Sequence, residues 1–377
     1  MGHGPPERLR WDVFCRVVDN FGDIGVCWRL CADLAGRGHR VRLWVDDPTS
    51  LAWMAPDGQP GVRVLPWHED FPAVDPGDVV VEAFACDPPA SFVAAMARAA
   101  HPPVWVNLEY LSAEAWVERV HGLPSPQWHG PGQGLTKWFF HPGFTPATGG
   151  LLREPGLLQA RAAFDACAWR RAHGLTPRPG ERLVTLFCYA QPALRTWVDA
   201  LDASPTLLAT TPGQASQQVS ALTLPAHVRH VTLPWLSQTD FDRLLWSADL
   251  NFVRGEDTPI RAVWAGRPFV WQLYPQDDGA HAEKARAFLA RWRAHGGAGG
   301  RLDAQVTALW EVWNGLSDGP ARLPDPEGLT AWEQACETLR DRLASQQDLV
   351  TQLLRFVAEH PTRPAPAVGP AQPHPTG

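Results

Sequence analysis

From Trp11 to Val18 apolar and polar positions alternate and β-branched residues recur, a pattern that predicts a strand over 11–18. The chain then passes through Asp19-Asn20-Phe21-Gly22-Asp23-Ile24-Gly25 and reopens as a helix over 26–36, with Trp28, Leu30, Cys31 and Leu34 on its apolar face. Two glycines bracket Asp23, as a sharp strand-to-helix turn requires where backbone approaches a ligand closely. Apolar runs at 39–45, 62–65, 79–85, 104–108 and 137–140 read as further strands, with a helix at 91–100. Apolar strands alternating with helices indicate a parallel sheet covered on both faces.

Gly149, Gly150 and the segment to Pro155 mark the edge of this first unit. A helix over 157–173 and a Pro- and Gly-rich linker at 176–180 follow, and the alternation restarts. Strands are expected at 183–189, 206–210, 228–233, 250–253 and 269–273, followed in turn by helices at 192–201, 213–222, 240–246, 258–265 and 281–293. The implied architecture is α/β: two consecutive Rossmann-like halves facing each other across a cleft. A last amphipathic block, 329–359, has a break near Ser345, and the Pro/Ala-rich tail from Pro361 reads as disordered.

Composition narrows the class. A chain of 377 residues exceeds one ordinary core, and 45% hydrophobic with 19% charged residues describes a soluble globular protein. No run approaches the ~18 apolar residues of a membrane helix, and the N-terminal segment lacks the apolar stretch of a secretory signal. Seven scattered cysteines without a C-x-x-C pair point to reduced thiols in the cytoplasm, and against zinc or a disulfide framework. A net charge of −7 gives no sign of a nucleic-acid partner. The only lysines are Lys137 and Lys284; the arginine bias fits a GC-rich genome, and also suits grip on phosphate or carboxylate. Many of the nineteen tryptophans fall inside apolar runs, including Trp44, Trp105, Trp246, Trp264 and Trp271, and are expected in the core.

Three stretches carry candidate chemistry. Asp19 and Asp23 follow the first strand, at the carboxyl end where open α/β sheets bind ligands. They serve either to cap the helix and fix the turn, or to orient a nucleophile and take its proton. The stretch NFVRGEDTPIRAVWAG, 251–266, ends a strand at Arg254 and opens a helix at Thr258 with Pro259 in its first turn. Backbone N–H groups at such a start bind phosphate, whereas Glu256 and Asp257 compete for the same positive end. One solution has backbone and hydroxyl holding the anion while an acid takes a sugar hydroxyl; the other is an acidic cap. In FCYAQPAL, Phe187 and Tyr189 share a face at a strand end and either stack on a flat base or fill core. Gln238 means nothing alone. Histidines lack metal spacing, and no G-x-G-x-x-G, G-x-S-x-G or P-loop occurs, which disfavours a dinucleotide dehydrogenase.

Together WDVFCRVVDNFGDIGVCWRL, VRLWVDD, FCY, NFVRGEDTPIRAVWAGRPFVWQLYPQ and DDGAHAEKARAFL closely resemble the EarP family, bacterial protein-arginine rhamnosyltransferases of elongation factor P. The resemblance runs from about residue 11 to 356. It implies a GT-B glycosyltransferase that uses TDP-β-L-rhamnose, inverts the anomeric centre and forms α-rhamnosyl arginine on elongation factor P. It further implies Asp23 as general base and Asp19 as a second catalytic aspartate. Phe187, Tyr189, Gln238, Arg254, Glu256, Asp257 and Thr258 would contact the nucleotide sugar, without a metal or other cofactor. Thr258 stands where the family pattern has Ser, which keeps the hydroxyl, and Ala190-Gln191 replaces an acidic residue after the FCY segment. On this reading 1–155 is the acceptor-side domain, 156–345 the nucleotide-sugar domain, and a helix at 346–360 packs back on the first. The expected partners are elongation factor P and TDP-rhamnose, with no nucleic acid or membrane. A GT-B enzyme with another donor or acceptor, and a non-catalytic binder of the same ligands, are the alternatives.

Overall fold

Strands covered by helices on both faces must be apolar at consecutive positions, and in the computed structural model the central strands are buried along their whole length. The structure describes residues 8–18, 21–68, 71–201, 204–276, 279–297 and 299–360. Asp19 and the tail from Pro361 lie outside them.

The first unit runs β1 (Arg10–Cys15), α1 (Gly22–Gly36), β2 (Arg40–Val45), α2 (Leu51–Met54), β3 (Val62–Pro66), β4 (Val79–Ala83) and α3 (Ala90–Arg98). It continues with β5 (Val104–Leu108), α4 (Val117–Val120), β6 (Pro124–Pro126) and β7 (Thr136–Phe140). These strands form one sheet in the order β3-β2-β1-β4-β5-β7-β6, parallel except for β6 against β7.

The second unit begins with α5 (Leu157–Ala162) and α6 (Ala166–Ala172), then β8 (Arg182–Leu186), α7 (Leu194–Asp199), β9 (Thr206–Thr210), α8 (Gln214–Ser220) and β10 (Val228–Thr232). It continues through α9 (Gln238–Ser247), β11 (Leu250–Arg254), α10 (Thr258–Ala265), β12 (Phe269–Gln272), α11 (Ala280–His295), α12 (Gly300–Trp313) and α13 (Pro326–Ala344). Its sheet is wholly parallel, in the order β10-β9-β8-β11-β12.

Strand order reverses at β1/β4 in the first sheet and at β8/β11 in the second. Crevices open at the carboxyl ends of such strands. All three candidate stretches leave one of these strands: β1, β8 and β11.

Each sheet has its own core. Around the second, Trp197, Trp264, Trp271, Trp313 and Trp332 are nearly or wholly shielded from solvent. The last helix, α14 (Leu349–Glu359), crosses back: Leu349, Val350, Leu353, Phe356 and Val357 join the core of the first sheet with β1 and α1. Leu349 N–H donates to Leu151 O at 2.9 Å, and Arg153 binds the carbonyls of Ala344 and Gln346, so crossing and return are stitched side by side.

Several element boundaries differ from the sequence expectation. The helix expected over 157–173 is two, because Asp165 accepts from Ala168 N and restarts the chain as α6. Helix α1 begins at Gly22 rather than 26, so both glycines lie inside its first turn. Helix α12 and the short strand β6 were not anticipated. No helix among the described residues is long and apolar enough to cross a membrane.

Candidate active site

The chain leaving β1 is held by two carboxylates. Asp46 Oδ1 accepts from Val17 N at 2.9 Å, and Asp23 Oδ2 accepts from Val18 N at 3.0 Å. Asp23 is fully shielded from solvent. It does not occupy the cap position, which falls to Phe21, but folds back from α1 onto the turn. Gly25 makes a close approach to the second domain. A Cβ there would lie 3.2 Å from Gln238 Nε2 and 3.7 Å from Asp257 Oδ2, both on the second domain. Gln238 Nε2 instead donates to Gly25 O at 3.0 Å, joining the N-termini of α9 and α1 across the cleft.

On the opposite side, Arg254 ends β11 and is largely buried. Its guanidinium lies 4.5 Å from the Phe187 ring centroid and 4.4 Å from that of Tyr189, both just beyond β8. The two rings proposed for a flat base thus sandwich a cation in this state. Gly255, at φ +74°, turns the chain sharply, a conformation costly to any residue with a side chain. Glu256 and Asp257 then diverge. Glu256 Oε1 pairs with Lys284 Nζ at 3.1 Å, and Asp257 Oδ2 accepts from Arg29 Nε at 3.0 Å. Asp257 occupies the cap position of α10 without its side chain capping it, and the Thr258 hydroxyl donates to Arg254 O. Both acids are therefore engaged by cations from other elements.

Arg29 belongs to a buried ionic cluster that the sequence reading missed. It reaches Glu154 at 3.1 Å and Asp242 at 3.0 Å, and Arg261 reaches the same two at 2.8 and 2.6 Å. With Asp257, two guanidinium groups face three carboxylates at the seam between the domains. Burial alone would raise the pKa of Glu154, but Arg261 and Arg29 overcome it and hold the group at about 2. For Asp257 burial wins over the same two arginines, and its pKa is raised. The available signal was an arginine inside each of two apolar runs, CWRLC and PIRAVW.

Between these walls lies a narrow cavity of about 70 Å³, partly open to solvent, lined by Phe187, Gln238, Arg254, Asp257 and Thr258 among others. Phe21, Trp53 and Trp235 close one side with ring centroids 4.5–5.6 Å apart. A neighbouring cavity of about 390 Å³ takes Tyr189 and Glu256, and the two share Gly255. Among the described residues no three His, Cys, Asp or Glu are grouped to hold a metal ion.

Residues 11–358 match the family described as Elongation-Factor P (EF-P) rhamnosyltransferase EarP. The chain belongs to that family. Relatives of this EarP-family protein are the protein-arginine rhamnosyltransferases of Pseudomonas putida, 46% identical, and Pseudomonas aeruginosa, 41% identical. Each alignment covers 93% of this chain, with 98% and 99% of the relative. A structure solved for EarP-mediated arginine glycosylation of translation elongation factor EF-P superposes with a TM-score of 0.62 at 30% identity, over 93% of this chain and 99% of that one. A spinosyn rhamnosyltransferase, SpnG, complexed with thymidine diphosphate shares the fold at 16% identity and a TM-score of 0.52, over 93% of this chain and 100% of its own. The EarP-family chain is thus a GT-B glycosyltransferase, with two α/β domains facing across the cleft. Five of the seven donor-side residues expected from sequence share one cavity, while Tyr189 and Glu256 border the next.

Proposed function

We propose that the protein transfers L-rhamnose from TDP-β-L-rhamnose to an arginine side chain of elongation factor P, with inversion, in the cytoplasm and without a metal or other cofactor. What carries this reading is family membership over residues 11–358, together with a cleft in which Arg254 and the N-terminus of α10 converge.

The acceptor poses a chemical difficulty. A guanidinium has delocalised lone pairs and a pKa above ~12, so a carboxylate of pKa ~4 cannot deprotonate it in the ground state. Asp19 and Asp23 instead hold the guanidinium by charge-assisted hydrogen bonds and polarise one nitrogen. As the bond from that nitrogen to the anomeric carbon forms, the nitrogen becomes acidic and its proton passes to Asp23. The bond from the anomeric carbon to the diphosphate oxygen breaks in the same step, and TDP leaves with the electron pair. Arg254, the backbone at the start of α10 and Thr258 stabilise the charge that develops there. Gln238 and Phe187 fix the nucleotide sugar.

Intact-mass spectrometry of the cognate elongation factor P, incubated with this protein and TDP-rhamnose, tests the proposal. One added deoxyhexose on a single arginine, abolished by Asp23→Asn, is the expected result. If Asp23→Asn stays within a few-fold of wild type, Asp23 is not the base. If the donor is hydrolysed while the acceptor mass is unchanged, another acceptor is the substrate.

A further inference from the structure

Arg29 stands on α1, less than two turns beyond Asp23, yet its guanidinium binds only groups outside that helix. Nε donates to Asp257 Oδ2 at 3.0 Å, and Nη2 reaches the Gln238 carbonyl at 3.4 Å. The two Nη groups also bind Glu154 and Asp242, at 3.0 to 3.3 Å. Arg29, Asp257 and Gln238 all line the donor cavity. One side chain of the acceptor-side domain thus holds two residues of the nucleotide-sugar side.

These partners do not depend on Arg29 equally. Glu154 and Asp242 each bind Arg261 as well, at 2.8 and 2.6 Å. Among the described residues, the carboxylate of Asp257 makes its one ion pair with Arg29. Its other oxygen, Oδ1, is shielded and has no hydrogen-bond partner among the described residues. A buried carboxylate oxygen left in this way gains much from an incoming hydroxyl. Charge sharpens the asymmetry. Burial and the neighbouring Asp242 both favour protonation of Asp257, and Arg29 opposes them more strongly than Arg261 does. Glu154, and Arg254 on β11, complete the charged groups around it.

We propose that Arg29 is a positioning residue of the donor site, acting through Asp257. Its Nε fixes one carboxylate oxygen so that the other accepts from a hydroxyl of the nucleotide sugar. The helix that carries Asp23 thereby sets how the second domain grips the donor. This rests on the donor part of the reading above.

Calorimetric titration of the full chain with TDP-rhamnose, from about pH 4.5 to about pH 8, tests this on Arg29→Gln, Asp257→Asn and the double variant. The sugar-linked diphosphate keeps its charge over that range, so the profile reports the protein. A hydrogen bond to a charged group is worth about ten- to hundredfold in affinity. Asp257→Asn should raise the Kd by that much, and Arg29→Gln by up to the same factor. Without its cation Asp257 takes up a proton more readily, so the acid limb of affinity should move to higher pH in Arg29→Gln. In the Asp257→Asn background, Arg29→Gln should change the Kd by less than about twofold at every pH. Arg29→Lys keeps the charge, so it should raise the Kd while leaving the limb near that of wild type. If Arg29→Gln does not fold, Arg29→Lys is compared with and without Asp257→Asn against the same twofold limit. A merely structural Arg29 would weaken binding equally with and without Asp257, or leave the limb of Arg29→Gln in place; either result overturns the proposal. A wild-type protein that does not bind TDP-rhamnose would overturn both the donor assignment and this inference. Donor binding without modification of elongation factor P would overturn the acceptor reading alone, and the comparison of variants would still decide the role of Arg29.

Discussion

Arg254 shows how one side chain can be placed for its charge and held by its shape. A planar guanidinium fits between the Phe187 and Tyr189 rings, whereas an ammonium is a compact, strongly hydrated point charge that cannot stack. Arg254→Lys keeps the charge and loses the sandwich. It should lower kcat by about a hundredfold, the usual loss when a preorganised group facing transition-state charge is disturbed, and steady-state kinetics with TDP-rhamnose would measure it. The sequence showed each of these three residues at a strand end, but not their meeting. Strands β8 and β11 are neighbours only because the order of the second sheet reverses between them, and that is a property of topology rather than of local pattern. Asp257 was read as an acid near a phosphate site. Its bond to Arg29, 228 residues away, depends on how the two domains face each other.

Among elements, the contact that matters most runs between α1 and the start of α9. A short bare stretch of α1 at Gly25 lets Gln238 dock on helix backbone. Gly25→Ala would improve helix propensity within α1, yet its Cβ would stand 3.3 Å from Met54 Cε as well as close to Gln238, and the seam would have to shift. The expected outcome is a fall of about tenfold or more in kcat/KM, as small misplacements of a site can cause, with a melting temperature within a few degrees of wild type; paired activity and thermal-melt measurements check both. Most elements were legible because apolar runs and turn residues agree with one another, and α10 and β9 lie where the pattern put them. Where the expectation failed, the reasons are specific. Leu302, Val306, Leu309 and Trp313 share one buried face of α12, a helical spacing that sits between glycine-rich flanks. The extra break at 163–165 is set by one capping aspartate inside a helical pattern. Strand β6 contains two prolines, which argue against a strand and are tolerated because it lies at the sheet edge.

At the scale of the molecule, the seam between the domains combines a buried ionic cluster with apolar contacts such as Phe144 against Phe288 and Trp53 against Trp235. Removing one member of such a buried group leaves its partners uncompensated. Because the folded protein holds Glu154 at about 2, below its ordinary 4.5, its contribution is complete above pH 4.5 and disappears as pH falls toward 2. Thermal melts across that window should show a smaller loss of stability on acidification for Glu154→Gln than for wild type; equal slopes would remove Glu154 from the account. This cluster was the least legible part of the chain, since its members are spread from Arg29 to Arg261 and only folding unites them. The return of α14 to the first sheet has a consequence of a different kind. Translation delivers β1 and α1 before the second domain, but the five apolar side chains that finish their core come from residues 349–357, after that domain has been made. The domain that leaves the ribosome before its neighbour is therefore the last to close, and until α14 emerges α1 presents an uncovered apolar face.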